Sequence, residues 1–192
     1  MNSPTVTVEV NAMPGIELHT DRLILREWRD EDLPVFAALN ADPEVMRYMP
    51  KLLSREESDE RVRIIREHFD HHGFGLWAVE VFGAEPFVGF VGLSAPWFEA
   101  PFTPCVEVGW RLTRAAWGQG YATEAARAAL EDGFGRMGFK QIVAFTAVPN
   151  LPSQAVMGRL GMTRRPDLDF NHPMLSPGHV LERHLVWSMD AA

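Results

Sequence analysis

Residues able to do chemistry converge on one stretch of this chain. Val106-Glu107-Val108-Gly109-Trp110-Arg111-Leu112 alternates as a strand does. Thr113 to Trp117 follows, and then Gly118-Gln119-Gly120-Tyr121-Ala122-Thr123-Glu124 opens a helix. A strand, a glycine-bearing turn and a helix start aim several free N–H groups, and the positive end of a helix dipole, at one spot. That arrangement suits an anion such as a phosphate. Gly118 and Gly120 let the backbone take unusual angles and approach a ligand closely. Two nucleotide patterns do not fit. A P-loop needs Lys-Ser or Lys-Thr after its last glycine, where Tyr121 stands, and the dinucleotide fingerprint needs glycine at 123, where Thr123 stands. Taken alone, the glycines equally describe an ordinary strand-to-helix turn.

Other reactive types give weaker signals. His68, His71 and His72 cluster at the end of a helix, and helical spacing puts His68 and His72 on one face as a metal pair would be. No third ligand is evident, so no metal site is expected, and histidines also suit a helix C-terminus. His184, in the last strand, reads as a packing residue, although it could reach a ligand site. The single cysteine, Cys105, has no flanking signature and reads as a small buried residue. It excludes an internal disulfide and a cysteine zinc site. The absence of a Gly-x-Ser-x-Gly elbow weakens a hydrolase reading.

The elements that must position these groups follow from periodicity. Residues 1–15 read as a loose arm, and 16–190 as a single domain. Glu17 to Trp28 reads as a strand, and Asp30 or Asp32 can cap a helix running through Leu39. Ser54-Arg55-Glu56-Glu57 is a capping box that opens a second helix, stopped by Gly73. Gly75–Val81 and Pro86–Leu93 form a hairpin, and Cys105–Leu112 is the next strand. The helix Gly120–Phe134 carries a small-residue face (Ala122, Ala125, Ala126, Ala129, Leu130, Gly133) that can lie close on a sheet. Lys140–Val148 is an apolar, β-branched strand, and Pro152–Leu160 a short helix ended by Gly161. Met162–Arg164 and His179–Met189 complete the order β, α, α, β, β, β, α, β, α, β, β, an α/β layer fold.

Composition bounds the function classes. The 192 residues carry 18 Lys plus Arg against 26 Asp plus Glu, a net charge of −8. A nucleic-acid binder or a polybasic membrane-surface protein would show the opposite balance. No apolar run reaches the length of a membrane span and no signal peptide is apparent, which points to the cytoplasm.

Trp117 to Ala126 (WGQGYATEAA), preceded by VEVGWRL, resembles the GNAT superfamily of acyl-CoA-dependent N-acetyltransferases, in its RimJ/RimL-like branch. HTDRLILREW, DPEVMRYM, FVGFVGL and NLPSQAVMGRLGM extend the resemblance over residues 17–190. It implies a mixed, mostly antiparallel twisted sheet of six to seven strands with about four helices, splayed between the fourth and fifth strands. It implies acetyl-CoA as cofactor, CoA as product and no metal. The backbone of Ala115, Ala116, Trp117, Gly118, Gln119 and Gly120, with Tyr121 and Ala122, would cradle the pyrophosphate. The family pattern often has Gln or Arg where Ala115 stands; Arg114 next to it offers a cation. The backbone of Val108, Trp110 and Leu112 would pair with the pantetheine amides, adding a pseudo-strand.

Acetyl transfer to an amine needs a neutral amine, a donor for the developing oxyanion and modest help for the departing thiolate. The resemblance assigns the base to Glu107, cofactor contact to Asn150 and the proton donor to Ser153. Read alone, Glu107 is a solvated strand carboxylate and Ser153 an N-terminal helix residue. The loops Asn40–Leu53, Ala95–Pro104 and Phe170–Pro177 carry Tyr48, Trp97, Phe98, Phe102 and Phe170, candidate walls for the acceptor. The acceptor is expected to be a primary amine: a protein N-terminus or a small-molecule amine, with the acidic surplus suiting a cationic one. A homodimer fits this reading, and neither nucleic acid nor membrane does. The alternatives are a CoA-binding sensor or interaction module without catalysis and an unrelated α/β ligand-binding protein.

Overall fold

The computed structural model describes residues 16–192, so the expected arm at 1–15 lies outside the described residues. The elements are β1 (Leu18–His19), β2 (Leu23–Arg26), α1 (Leu33–Ala41), α2 (Arg55–His72), β3 (Leu76–Val81), β4 (Gly89–Ser94) and β5 (Glu107–Leu112). Then come α3 (Tyr121–Gly135), β6 (Gln141–Ala147), α4 (Leu151–Leu160), β7 (Thr163–Arg164), β8 (Phe170–Asn171) and β9 (Arg183–Asp190). One nine-stranded sheet runs β1-β2-β3-β4-β5-β6-β9-β7, with β8 also on β9. Every pairing is antiparallel except β5–β6.

The sheet has more strands than the six to seven expected, and the surplus is two-residue pieces. The expected strand Glu17–Trp28 is interrupted because the Thr20 hydroxyl caps a turn, accepting the Leu23 N–H at 2.9 Å. Phe170–Asn171, inside the expected loop Phe170–Pro177, pairs with Arg183–His184 as a short strand. The last strand starts at Arg183 rather than His179, since His179 closes a turn with Glu182 (2.8 Å). Asp32 precedes α1 without capping it. Its carboxylate instead takes Arg26, at 2.8 and 2.9 Å, and the Arg29 N–H, at 2.8 Å. The other helix ends are as the residue types dictate. Ser54 and Glu57 form the reciprocal capping box of α2, and Gly73 (φ 70°) and Gly161 (φ 83°) end α2 and α4 in the left-handed conformation.

The sheet separates two apolar layers. On one face α3 lays Ala125, Ala126, Ala129, Leu130 and Gly133 against Val91, Leu93, Val108 and Ile142. The approach is so close that a Cβ on Gly133 would stand 2.8 Å from Ile142 Cδ1 and Leu93 Cδ1. On the other face α1 and α2 pack Phe36, Leu39, Val62 and Ile65 on Trp28, Phe87 and Phe90. A third cluster, Val143, Phe170 and Val186 with Phe98, Phe102 and Phe145, closes the β8–β9 end.

The joint between β5 and β6 positions the site. Its register holds a single pair, Glu107 with Val143, and Val143 donates its N–H to Val106 O at 2.9 Å. β6 then continues along β9 for seven pairs and β5 along β4 for six. The two strands part beyond Glu107, which is the expected splay.

Candidate active site

The open edge of β5 can be read from its register. Thr113 donates to Val88 O, so the hydrogen-bonded pairs with β4 fall at Arg111, Gly109 and Glu107. Backbone groups of Val108, Trp110 and Leu112 therefore point to the parted side. The parallel bridge takes the Val108 N–H, and the Trp117 indole donates to Leu112 O at 3.0 Å. Both backbone groups of Trp110 are without a partner among the described residues.

The turn after β5 has the expected donors. Ala116 and Trp117 close a short 3-10 turn by donating to Thr113 O and Arg114 O. From Gly118 to Thr123, no N–H has a partner among the described residues. Gly118 (φ 74°) and Gly120 (φ 82°) are left-handed, and no side chain caps α3. Of the eight expected cradle residues, five (118–122) thus present free N–H groups in a row, and Thr123 adds one that the sequence reading did not include.

A clamp that the sequence did not reveal holds this turn from behind. Arg22 donates from Nη1 to Gln119 O at 3.0 Å and from Nε to Glu124 at 2.7 Å, with its guanidinium over the Tyr121 ring. Glu124 also accepts from the Thr20 hydroxyl (2.6 Å) and the Arg22 N–H (3.1 Å). Tying the Gln119 carbonyl inward leaves the neighbouring N–H groups facing outward. A hollow of about 660 Å³ beside the turn is lined by Thr123, Arg127 and Arg159.

Glu107 stands where the strands part, half-buried, on the wall of a cavity of about 290 Å³. Surrounding protein excludes water from its carboxyl and pushes it up to about 7, against a hydrogen bond from the Ser94 hydroxyl (2.8 Å) that favours the charged form. Ser94, Trp110, Thr146, His172 and His184 share the cavity wall. Burial pushes His184 down to about 4, so it is neutral near pH 7. The Cys105 thiol is pushed up to about 12 by burial and by the Glu107 charge, which makes it a poor nucleophile.

Asn150 is buried and caps α4. Its amide oxygen accepts from the Ser153 N–H, and its nitrogen donates to Thr146 (2.8 Å) and to Ser153 Oγ (3.1 Å). All its polar atoms are thus engaged within the chain. Ser153 Oγ is an acceptor in this set, and its own proton has no partner among the described residues. Of the aromatic wall candidates, Tyr48 lines the cavity. Phe98, Phe102 and Phe170 pack on Phe145 instead, and Trp97 is 76% exposed. His68 donates or accepts at both ring nitrogens, to Phe74 O (2.9 Å) and from the Ala95 N–H (3.2 Å), and so is a poor metal ligand.

Known proteins resemble this chain in sequence and in fold. The family profile of the acetyltransferase (GNAT) domain matches residues 22–163. YkkB of Bacillus subtilis is 33% identical over 147 residues, 76% of this chain and 84% of that one. FsC-acetyl coenzyme A-N(2)-transacetylase of Aspergillus fumigatus is 33% identical over 154 residues, 76% of this chain and 64% of that one. A GNAT-family acetyltransferase structure from Bacillus anthracis superposes with a TM-score of 0.74 at 24% identity, covering 92% of this chain and 99% of that one. RimL, a ribosomal L7/L12 alpha-N-protein acetyltransferase in complex with coenzyme A, shares the fold with a TM-score of 0.71 at 17% identity, covering 91% and 98%. No helix among the described residues is long and apolar enough to cross a membrane.

Proposed function

The chain belongs to the GNAT acetyltransferase family, and on that premise we propose that it acetylates a primary amine by direct attack within a ternary complex, Glu107 acting as base and Ser153 as acid. Acetyl-CoA-dependent N-acetyl transfer is the family activity. The acceptor and the residue roles are our reading.

One observation carries it. Glu107 joins the open edge of β5 to the cavity, and its carboxyl is raised to about 7. A carboxylate in the ordinary range is too weak a base to take a proton from an ammonium group; one near 7 is matched to work at neutral pH. The chain also fits the cofactor. Free N–H groups from Gly118 to Thr123 offer donors for a pyrophosphate at a helix start. The free backbone groups of Trp110 and the carbonyl of Val108 can hold the amides of an extended arm. Bound acetyl-CoA supplies the activated acetyl group. Glu107 removes a proton from the amine, directly or through water, and Ser153 donates its uncommitted proton toward the departing sulfur. With Cys105 held at about 12, the site supports direct transfer over an acyl-cysteine route.

The test is CoA thiol release across a panel of amines, with Glu107→Gln alongside wild type. Release that depends on an amine, and falls steeply below pH 7 only in the wild type, is expected. Tight acetyl-CoA binding without release on any amine would instead identify a binding module.

A further inference from the structure

The acceptor cavity has a second charged wall. Arg111 lies four residues beyond Glu107 on the same face of β5, so their Cα atoms are separated by about 13 Å of strand. Arg111 is half-buried and lines the cavity. Its guanidinium donates to Asn40 Oδ1 at 2.7 Å and to Met49 Sδ at 2.9 Å, and lies over the Phe90 ring. Both polar partners are uncharged. Loss of water, with the like charge of Arg61, pushes it down to about 10.

The same fold neutralises its other buried arginine fully. Arg26, 1% exposed, is flanked by Asp32 and Glu80, both at 2.8 Å. Helix α2 repeats the contrast. Arg55 pairs with Asp59, Arg63 with Glu60 and Glu67, and Arg66 with Asp30. Arg61, the one arginine of that helix lining the cavity, has no ion-pair partner among the described residues. In each comparison, the arginine without a carboxylate partner among the described residues is the one that lines the cavity. For Arg111, holding an uncompensated charge away from water is costly, and a ligand anion relieves that cost. The guanidinium fork suits a carboxylate or phosphate.

We propose that Arg111, with Arg61, forms an anion subsite of the acceptor cavity, and that the acceptor is a primary amine carrying a carboxylate or phosphate several bonds from its nitrogen. This rests on the reading of the cavity as the acceptor site. An acidic group on the carbon next to the amine is too near the nitrogen to reach Arg111 while the amine meets Glu107. The cavity, at about 290 Å³, takes a small molecule or the first residues of a chain.

The experiment measures kcat/KM by thiol release for matched acceptors: 5-aminopentanoate and 3-aminopropyl phosphate against pentylamine, and Ala-Glu-amide against Ala-Gln-amide. The first set reports a free acid, the second a chain-borne one. Wild type should favour the acid at least tenfold in one set, as a charge-assisted hydrogen bond requires. Arg111→Gln should bring that ratio below threefold. Arg61→Gln, at an exposed position that threatens folding little, should reduce the ratio in the same direction. Equal turnover of acidic and neutral partners in every set overturns the subsite and leaves the transferase reading standing. Absence of turnover on every amine, with acetyl-CoA still bound, counts against the transferase reading. The subsite is then read by calorimetry with glutarate: binding lost in Arg111→Gln supports it, and no binding to wild type overturns it.

Discussion

Replacing Ser94 with alanine isolates how the proposed base, Glu107, is tuned. Its hydroxyl donates to Glu107 Oε1 at 2.8 Å and is the interaction that opposes the burial-driven rise of that carboxyl to about 7. A hydrogen bond to a charged group contributes about 1.5–3 kcal/mol. At about 1.36 kcal/mol per pKa unit that is roughly one to two units, and cavity water that can replace the hydroxyl brings the expectation to about one. The carboxyl would then titrate near 8. At pH 7 the ionised fraction falls from about one half to about one tenth, so kcat/KM drops about fivefold. At pH 9 both proteins are at least about 90% ionised and the rates should converge. The assay is the pH dependence of kcat/KM from pH 5.5 to 9.5 with an acceptor held in one protonation state. An acid limb displaced upward with an unchanged plateau is expected. A uniform loss at every pH would refute the tuning argument and make Ser94 a packing residue.

Three further outcomes follow from the geometry. His184 is held near 4 by burial, below the 6.5 of an exposed histidine, so the folded state binds fewer protons than the unfolded between those values. Stability should therefore fall as pH drops from 6.5 toward 4, and His184→Phe should flatten that limb of denaturant midpoints against pH. Gly118→Ala meets no atom within 4 Å but forces a side chain onto φ 74°, a cost of about 1–2 kcal/mol. It should raise the dissociation constant for acetyl-CoA about tenfold, read by calorimetry, while the thermal midpoint moves only a few degrees. Arg22→Met releases the Gln119 carbonyl and the Glu124 carboxylate. It should raise KM for acetyl-CoA several-fold with kcat nearly unchanged; a fall in kcat alone would show that the clamp acts elsewhere.

Features governed by local chemistry were legible in the sequence. The glycines of the turn, the Ser54 capping box, the Gly73 and Gly161 stops and the small face of α3 each depend on neighbours a few residues away, and each lies where its type demands. Interactions made across the chain were not legible. Arg22 is 102 residues from Glu124, and nothing in HTDRLILREW marks it as the brace of a distant turn. Arg26 and Arg111 sit on strands, where an arginine reads as solvent-facing until the sheet places it under helices. Asp32 looks like a helix cap and is diverted to Arg26. Net charge is −8, yet the cavity wall carries two cations without counterions among the described residues. A total charge sums over a surface and is silent about which side chains share a pocket.

The single rung between Glu107 and Val143 also fixes what can move. The β1–β5 half and the β6–β9 half form a V whose vertex is that rung, and Glu107 stands at the vertex. If the halves rock, displacement grows with distance along the arms and vanishes where they meet. Phe145, Thr146, Leu181 and His184, on or beside the far arm, would swing as one wall, widening or narrowing the cavity. Glu107 would hardly shift. Breadth of the cavity and constancy of the Glu107 position are then two readings of one wedge angle, and an extended arm laid in the V would fix that angle.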